Sequence, residues 1–169
     1  MSRLDSFIRR LEAQRACLDL AVSLSHKLSG AAIELGLGNG RTYDHLRERL
    51  AGSRAIYALD RQLAAHPDCI PRELVLGEFR ETLPGLARRL GRVVALVHAD
   101  TGSGDEASSQ AQALELPALL DPLLVEGALV VSDQDMKPEV FSWKTIELPE
   151  HVPAGRYFIW RRSANQSSA

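Results

Sequence analysis

The sequence predicts a doubly wound α/β fold, with helices on both faces of a mostly parallel sheet. From residue 31 onwards, short apolar segments alternate with helix-like segments. Repeated β-α-β units with right-handed crossovers produce this order. Several apolar segments, such as "RVVALVHAD" at 92–100, are apolar almost throughout. Strands of this kind are buried on both faces, as in parallel sheets covered by helices.

The predicted elements follow one another in a regular order. An extra amphipathic helix comes first, over about 3–28, and Gly30 is expected to end it. Five strands are predicted at 31–35, 54–60, 73–78, 92–100 and 127–133. Helices are expected between them at about 42–50, at 61–67 (short, and broken by Pro67), at 79–90 and at 105–124. The segments 143–149 and 155–162 have no helix between them and predict a hairpin at one edge of the sheet.

Length and composition favour a single domain. The chain has 169 residues, of which 45% are hydrophobic and 25% are charged, an ordinary globular composition. We divide it into an N-terminal helical lid (1–29), a sheet core (30–162) and a flexible tail (163–169).

Charge and hydropathy exclude several classes of protein. The formal net charge of −2 gives no electrostatic footprint for nucleic acid or for an anionic membrane. No apolar stretch reaches the roughly 18 to 20 residues that a membrane span needs, and the N-terminus lacks the apolar core of a signal peptide. We therefore expect a cytoplasmic protein in which Cys17 and Cys69 are reduced thiols.

A glycine-rich loop follows the first predicted strand, in "AAIELGLGNGRTYDHL" at 31–46. Gly36, Gly38 and Gly40 would let the chain turn sharply and would leave the backbone open to a ligand. The spacing is G-x-G-x-G, and Arg41 occupies the place of the third glycine of the dinucleotide fingerprint G-x-G-x-x-G. A P-loop is excluded because no G-K-[ST] follows. A purely structural turn and an NAD(P)-binding site stay open as alternatives at this point.

The segment "IELGLGNGRT" resembles the first motif of class I S-adenosylmethionine-dependent methyltransferases, with Glu34 in its acidic position. The resemblance extends along most of the chain: Asp60 ends the second strand, "LGEF" (76–79) ends the third and "HADT" (98–101) ends the fourth. It implies a seven-stranded sheet of order 3-2-1-4-5-7-6 with strand 7 antiparallel. It also implies S-adenosyl-L-methionine as the cofactor.

The resemblance implies roles for individual residues. Asp60 would bind both ribose hydroxyls and Glu78 would contact adenine, with Arg61 or Phe79 covering the face of the base. The full set of expected cofactor-binding residues is Glu34, Gly36, Leu37, Gly38, Asn39, Gly40, Asp60, Arg61, Gly77, Glu78, Phe79, Asp100 and Thr101.

Asp100 and His98, at the end of the fourth strand, are the expected catalytic residues, and His26 is a weaker candidate for a general base. Asp133 ends the fifth strand, where catechol-type O-methyltransferases have metal ligands. Gln134, however, replaces their asparagine, and we predict no metal site.

The predicted function is S-adenosylmethionine-dependent methyl transfer to a small-molecule acceptor. The alternatives are an NAD(P)-binding oxidoreductase and a non-catalytic S-adenosylmethionine-binding module. The N/D-P-P-Y/F signature of amino-group methylation is absent after the fourth strand. We expect neither a nucleic-acid nor a membrane partner, and a homodimer would form through the N-terminal helix or the terminal hairpin.

Overall fold

A computed structural model describes residues 2–102 and 104–163. Residues 164–169 of the predicted tail lie outside the described residues. Seven strands form one sheet in the order β3-β2-β1-β4-β5-β7-β6, as predicted. The strands are β1 (Ala31–Leu35), β2 (Ile56–Asp60), β3 (Glu73–Leu76), β4 (Val94–Ala99), β5 (Leu124–Ser132), β6 (Trp143–Thr145) and β7 (Phe158–Arg162). The pairs among β1 to β5 are parallel, and β7 is antiparallel to both β5 and β6.

Four α-helices cover the two faces of the sheet. They are α1 (Arg3–Ser25), α2 (Arg41–Leu50), α3 (Phe79–Leu90) and α4 (Glu106–Leu120). Apolar side chains of α1 and α2 pack on one face, and those of α3 and α4 pack on the other. Every residue of the central strand β4 is buried, which explains its continuous apolar sequence.

Two predictions about the helices were wrong. No helix forms at 61–66, because the turn there leads into a short 3₁₀ helix that begins at Pro67 (Pro67–Cys69). Helix α1 ends at Ser25 and not near residue 28. The guanidinium of Arg54 donates hydrogen bonds to the carbonyls of Ser25 and Leu28, and so satisfies carbonyl groups at the helix end.

Helix α1 divides into a packed and an exposed part. From Ala13 onwards one face of the helix is buried against β4, β5 and β7. The carboxylate of Asp19 accepts from Nε2 of His45 (3.0 Å) and pairs with Nε of Arg49 (2.8 Å), which joins α1 to α2. The first turns instead expose three large apolar side chains, those of Leu4, Phe7 and Ile8.

A buried ion pair joins the end of α4 to the last strand. Oδ1 of Asp121 accepts hydrogen bonds from Nε of Arg162 (2.9 Å) and from the indole of Trp143 (3.1 Å). The Arg162 side chain is only 6% exposed. This cluster therefore fixes β6 and β7 to the body of the sheet.

Both cysteines are free thiols, as predicted, and burial raises the pKa of Cys17 to about 11. Within 2–102 and 104–163, no helix combines the length and the hydrophobicity that crossing a bilayer would require.

Candidate active site

The turns after the parallel strands meet at one edge of the sheet and enclose an open cleft. Ligands of doubly wound sheets bind at this edge. The cleft is lined by Gly36, Gly38, Asp60, Arg61, Glu78, Phe79, Asp100, Thr101, Gly102 and Gln112.

The absence of a side chain serves different purposes at the three glycines of the loop. A Cβ on Gly36 would lie 2.2 Å from the carbonyl oxygen of Asp100, and a Cβ on Gly40 would lie 2.5 Å from Cβ of Cys69. These two glycines allow close packing inside the protein. Gly38 has a φ of +48° and nothing within 4 Å of its Cβ position. Only Gly38 therefore leaves open space beside the backbone for a ligand.

Asp60 is held at the mouth of the cleft by the glycine loop. Its Oδ2 accepts from the backbone N–H of Gly38 (2.9 Å), and its Oδ1 lies 3.3 Å from the N–H of Gln62. The carboxylate thus has a fixed position and keeps lone pairs for further donors.

Glu78 and Phe79 stand together where β3 leads into α3. Glu78 is the N-cap residue of α3, but its side chain makes no capping bond, and no ion pair or hydrogen bond of this carboxylate occurs within the described part of the chain. Phe79 is 8% exposed and lines the cleft. The pair offers an acceptor oxygen next to an aromatic surface.

The other end of the cleft is covered by α1. Both carboxylate oxygens of Asp100 accept from Nη2 of Arg10 (2.8 Å each), and Oδ2 also accepts from Nε2 of Gln14 (2.8 Å). These charge-assisted bonds hold α1 over the end of β4. They also occupy both oxygens of the carboxylate that we expect to be catalytic.

Glu34 and His98 lie behind this layer in a buried polar network. Glu34 accepts from Nδ1 of His98 (2.9 Å) and from the hydroxyl of Thr42, and Nε2 of His98 lies 3.3 Å from the hydroxyl of Tyr157. Glu34 and His98 are 0% exposed. Burial disfavours the imidazolium, but the charge of Glu34 and its hydrogen bond prevail and raise the pKa of His98.

We expect stability to depend on pH through His98. Because its pKa is raised on folding, the stabilisation is complete below the ordinary histidine pKa of about 6.5 and is lost as pH rises through the folded value. Urea unfolding between about pH 6 and pH 9 should show a falling free energy of unfolding. The variant His98→Asn should be less stable, and its free energy of unfolding should fall less steeply as pH rises. An equal dependence on pH in both proteins would contradict the assignment.

The predicted site residues divide into two groups. Gly36, Gly38, Asp60, Arg61, Glu78, Phe79, Asp100 and Thr101 line the cleft. Glu34, Leu37, Asn39, Gly40, Gly77 and His98 do not line it. The side chain of Leu37 packs against Tyr43 and Ala58. Roles in catalysis and binding stay predictions for both groups.

His26 borders a different cavity together with Gly30 and Arg54, near the start of β1 and at the opposite edge of the sheet. Sequence reasoning missed Arg10, Gln14, Gly102 and Gln112. The pattern of α1 showed only its apolar face, and nothing in the sequence indicates which polar side chains of a helix reach a residue about ninety positions away.

The lining fits S-adenosylmethionine better than it fits a dinucleotide. Asp100 is paired with Arg10, so the carboxylates of Asp60 and Glu78 face the single guanidinium of Arg61 among the lining residues. Such a surface suits the sulfonium and ammonium charges of S-adenosylmethionine and disfavours a pyrophosphate. The open backbone at Gly38 and the acceptor oxygens of Asp60 and Glu78 match a nucleoside with hydroxyl and amino groups. Within 2–102 and 104–163, no three His, Cys, Asp or Glu side chains come together as a metal site would require.

Comparisons with known proteins agree with this geometry. The crystal structure of an S-adenosyl-L-methionine methyl transferase from Silicibacter pomeroyi DSS-3 superposes with a TM-score of 0.89 at 44% identity, covering 96% of this chain and 99% of that one. Two more distant structures share the fold. A proposed O-methyltransferase of Klebsiella pneumoniae has a TM-score of 0.63 at 12% identity, covering 89% of this chain and 80% of that one. A protein of Corynebacterium glutamicum has a TM-score of 0.56 at 15% identity, covering 89% of this chain and 82% of that one. A search of curated proteins gave no match.

The sequence model of a methyltransferase family, described as S-adenosyl-L-methionine methyltransferase, matches residues 1–162. This match extends from α1 to the end of β7 and so includes every element that borders the cleft. The chain therefore belongs to the S-adenosyl-L-methionine methyltransferase family.

Proposed function

We propose that this S-adenosylmethionine-dependent methyltransferase acts on a small-molecule acceptor that reaches the cleft beside Asp100. The observation that carries the proposal is the cover that α1 forms over this end, through Arg10 and Gln14. With the acceptor end covered by a helix, a small molecule fits better than an extended polymer. The net charge of −2 likewise offers no attraction for nucleic acid.

The cofactor would lie along the cleft between two sets of residues. Asp60 and Glu78 would accept hydrogen bonds from its ribose and adenine groups, and the backbone from Gly36 to Gly38 would border its methionine part. Bound S-adenosylmethionine supplies a methyl group that is already activated by a positively charged sulfur. The protein's main task is therefore to orient the acceptor and to exclude water, which can supply on the order of 7 to 11 kcal/mol.

The exposed first turns of α1 would act as the predicted lid. Arg10 and Gln14 fasten this part of the helix to Asp100, and opening would break these bonds. The apolar side chains of Leu4, Phe7 and Ile8 are also available for the predicted homodimer.

Replacing Asp60 by asparagine is expected to weaken binding of S-adenosylmethionine by roughly 10- to 100-fold. The substitution keeps the shape of the side chain but removes charge-assisted hydrogen bonds, each worth about 1.5 to 3 kcal/mol. Isothermal titration calorimetry measures the change. Asp68→Asn is the matched control, because that side chain is 88% exposed and does not line the cleft. Equal affinities in the two variants would contradict the role of Asp60.

The class of acceptor can be tested with S-adenosylmethionine labelled in its methyl group. The protein is incubated with pools of phenols, amines and carboxylic acids, and in parallel with total RNA, DNA and peptides. We expect label in the small-molecule fraction and a reduced amount with Asp60→Asn. Label retained in RNA, DNA or peptide would refute the proposed acceptor class while leaving the family assignment intact.

A further inference from the structure

A second carboxylate stands beside the acceptor end of the cleft. Asp133 follows β5, and its backbone N–H donates to the carbonyl of Ala99 (3.2 Å), which places it next to the end of β4. A Cβ added to Gly102, which lines the cofactor cleft, would lie 3.5 Å from Oδ2 of Asp133. Oδ2 therefore faces the side on which the cofactor would bind.

A separate cavity opens on the other side of Asp133. It lies between α1 and the segment that leads into β7, and it is lined by Arg10, Asp133, Gln134 and residues 153–157. A molecule in this cavity would contact Asp133. Asp133 is thus the carboxylate that borders the cavity and also lies beside the cleft.

The two neighbouring carboxylates have opposite environments. Both oxygens of Asp100 accept charge-assisted hydrogen bonds from Arg10 and Gln14. Oδ1 of Asp133 is buried and has no hydrogen-bond partner among the described residues, while Oδ2 accepts one long bond from Nε2 of Gln134 (3.2 Å). A pair of acids whose environments differ in this way is typical of one group that holds charge and one that moves a proton.

From this geometry we propose that Asp133 is the general base of the reaction and that the acceptor is an O–H or N–H compound that enters through the cavity between α1 and β7. The inference rests on the proposed function. In the step, the acceptor's proton passes to Oδ2 of Asp133 while a lone pair of the acceptor atom forms the bond to the methyl carbon. The electron pair of the broken carbon–sulfur bond remains on sulfur, and Asp133 later returns its proton to water.

The electrostatics of the site support this role. Burial raises the pKa of Asp133, and the charge of the Asp100 side chain and its hydrogen bond with Asp133 raise it further, against the opposing effects of Gln134 and Arg10. His98 and Tyr157 are the other titratable groups whose charges couple to it. A raised pKa makes a carboxylate a better proton acceptor at neutral pH.

The first test needs no acceptor. Aspartate labelled with ¹³C at the side-chain carboxyl carbon is titrated by NMR in the wild type, in Asp133→Asn and in Asp100→Asn. We expect one resonance, missing in Asp133→Asn, to titrate above the ordinary value of about 3.9. It should shift to lower pH in Asp100→Asn, because the neighbouring negative charge is gone. An ordinary or lowered pKa for Asp133, or displacement of its resonance by millimolar Mg²⁺, would overturn the proposal.

Stability provides a second readout that does not depend on activity. A carboxylate with a raised pKa favours folding below its unfolded pKa, and this contribution is lost as pH rises through its folded pKa. At neutral pH, Asp133→Asn should therefore have a higher Tm than the wild type, whereas Asp68→Asn should not. A lower Tm for Asp133→Asn would indicate that the Asp133 carboxylate stabilises the fold through an ion partner. This result would count against its role as the general base.

The transfer assay then separates the two carboxylates. With an acceptor from the pools, Asp133→Asn should lose roughly 100- to 10,000-fold in kcat with unchanged affinity for S-adenosylmethionine. In Asp100→Asn, a plot of kcat against pH should still show an acidic limb, in which kcat falls as pH is lowered. This limb should lie at lower pH than in the wild type. If Asp133→Asn keeps this limb and Asp100→Asn loses it, Asp100 is the base and the proposal is wrong. If the pools yield no acceptor, the proposed acceptor class fails, and the NMR titration and Tm still decide the role of Asp133.

Discussion

Replacing Gly36 by alanine is expected to cost the protein more than about 4 kcal/mol of stability and to leave most of the chain unfolded. The added Cβ would lie 2.2 Å from the carbonyl oxygen of Asp100 and 3.0 Å from its carbonyl carbon. Both are backbone atoms and cannot rotate away. The φ of +82° at this position adds strain, because L side chains rarely adopt it. Circular dichroism during thermal unfolding measures the loss.

Gly38→Ala is the matched control for this prediction. Gly38 also has a positive φ, but nothing lies within 4 Å of its Cβ position, so we expect only the cost of the left-handed backbone, about 1 to 2 kcal/mol. This variant should fold and should bind S-adenosylmethionine more weakly, because the methyl group occupies space at the cleft. If Gly36→Ala folds as well as Gly38→Ala, the close approach of β1 and β4 is not the constraint that we describe.

Asp121→Asn is expected to lower the free energy of unfolding by about 3 to 5 kcal/mol, since it leaves the buried guanidinium of Arg162 without a counter-charge. Burial opposes the charge of Asp121, but the hydrogen bonds from Arg162 and Trp143 prevail and lower the pKa of this carboxyl. Its stabilisation is therefore present above the unfolded value of about 3.9 and is lost as pH falls through the folded value. Urea unfolding at neutral and at acidic pH measures both effects.

A double variant gives the control for Asp121. Asp121→Leu combined with Arg162→Met removes both charges, and apolar replacements of buried ion pairs are often tolerated. We expect the double variant to be more stable than Asp121→Asn alone, with a positive coupling in the mutant cycle. A loss below about 1 kcal/mol for Asp121→Asn would show that water already screens this pair.

Sequence reasoning succeeded where local chemistry determines the outcome. The buried run of β4 and the glycine loop after β1 specify a central strand and the turn at its end, and both lie where we predicted them. The short helix expected at 61–67 does not form. His66 and Pro67 instead begin a 3₁₀ turn, in which Nδ1 of His66 accepts from the N–H of Asp68.

The rest of the site depends on contacts between distant parts of the chain. Arg10 is one of three arginines within the first ten residues, and only the packing of α1 on β4 and β5 directs this one to Asp100. The different environments of Asp100 and Asp133 are likewise invisible in sequence, where both are simply acids at strand ends. A pattern can thus identify the edge where a ligand binds, but not which carboxylate there is neutralised by a neighbour.

The position of β7 affects how the protein folds during translation. Although β7 is the seventh strand in the chain, it lies between β5 and β6 in the sheet. Until the ribosome has released Arg162, a nascent chain presents the open edge of β5 to other chains, a known route to aggregation. Arg92 already lies 3.8 Å from Oδ2 of Asp121, but the shorter ion pair with Arg162 (2.9 Å) forms only at that moment. Closure of the sheet must therefore follow synthesis of residues 158–162, and a chain stalled before them would leave the edge of β5 unpaired.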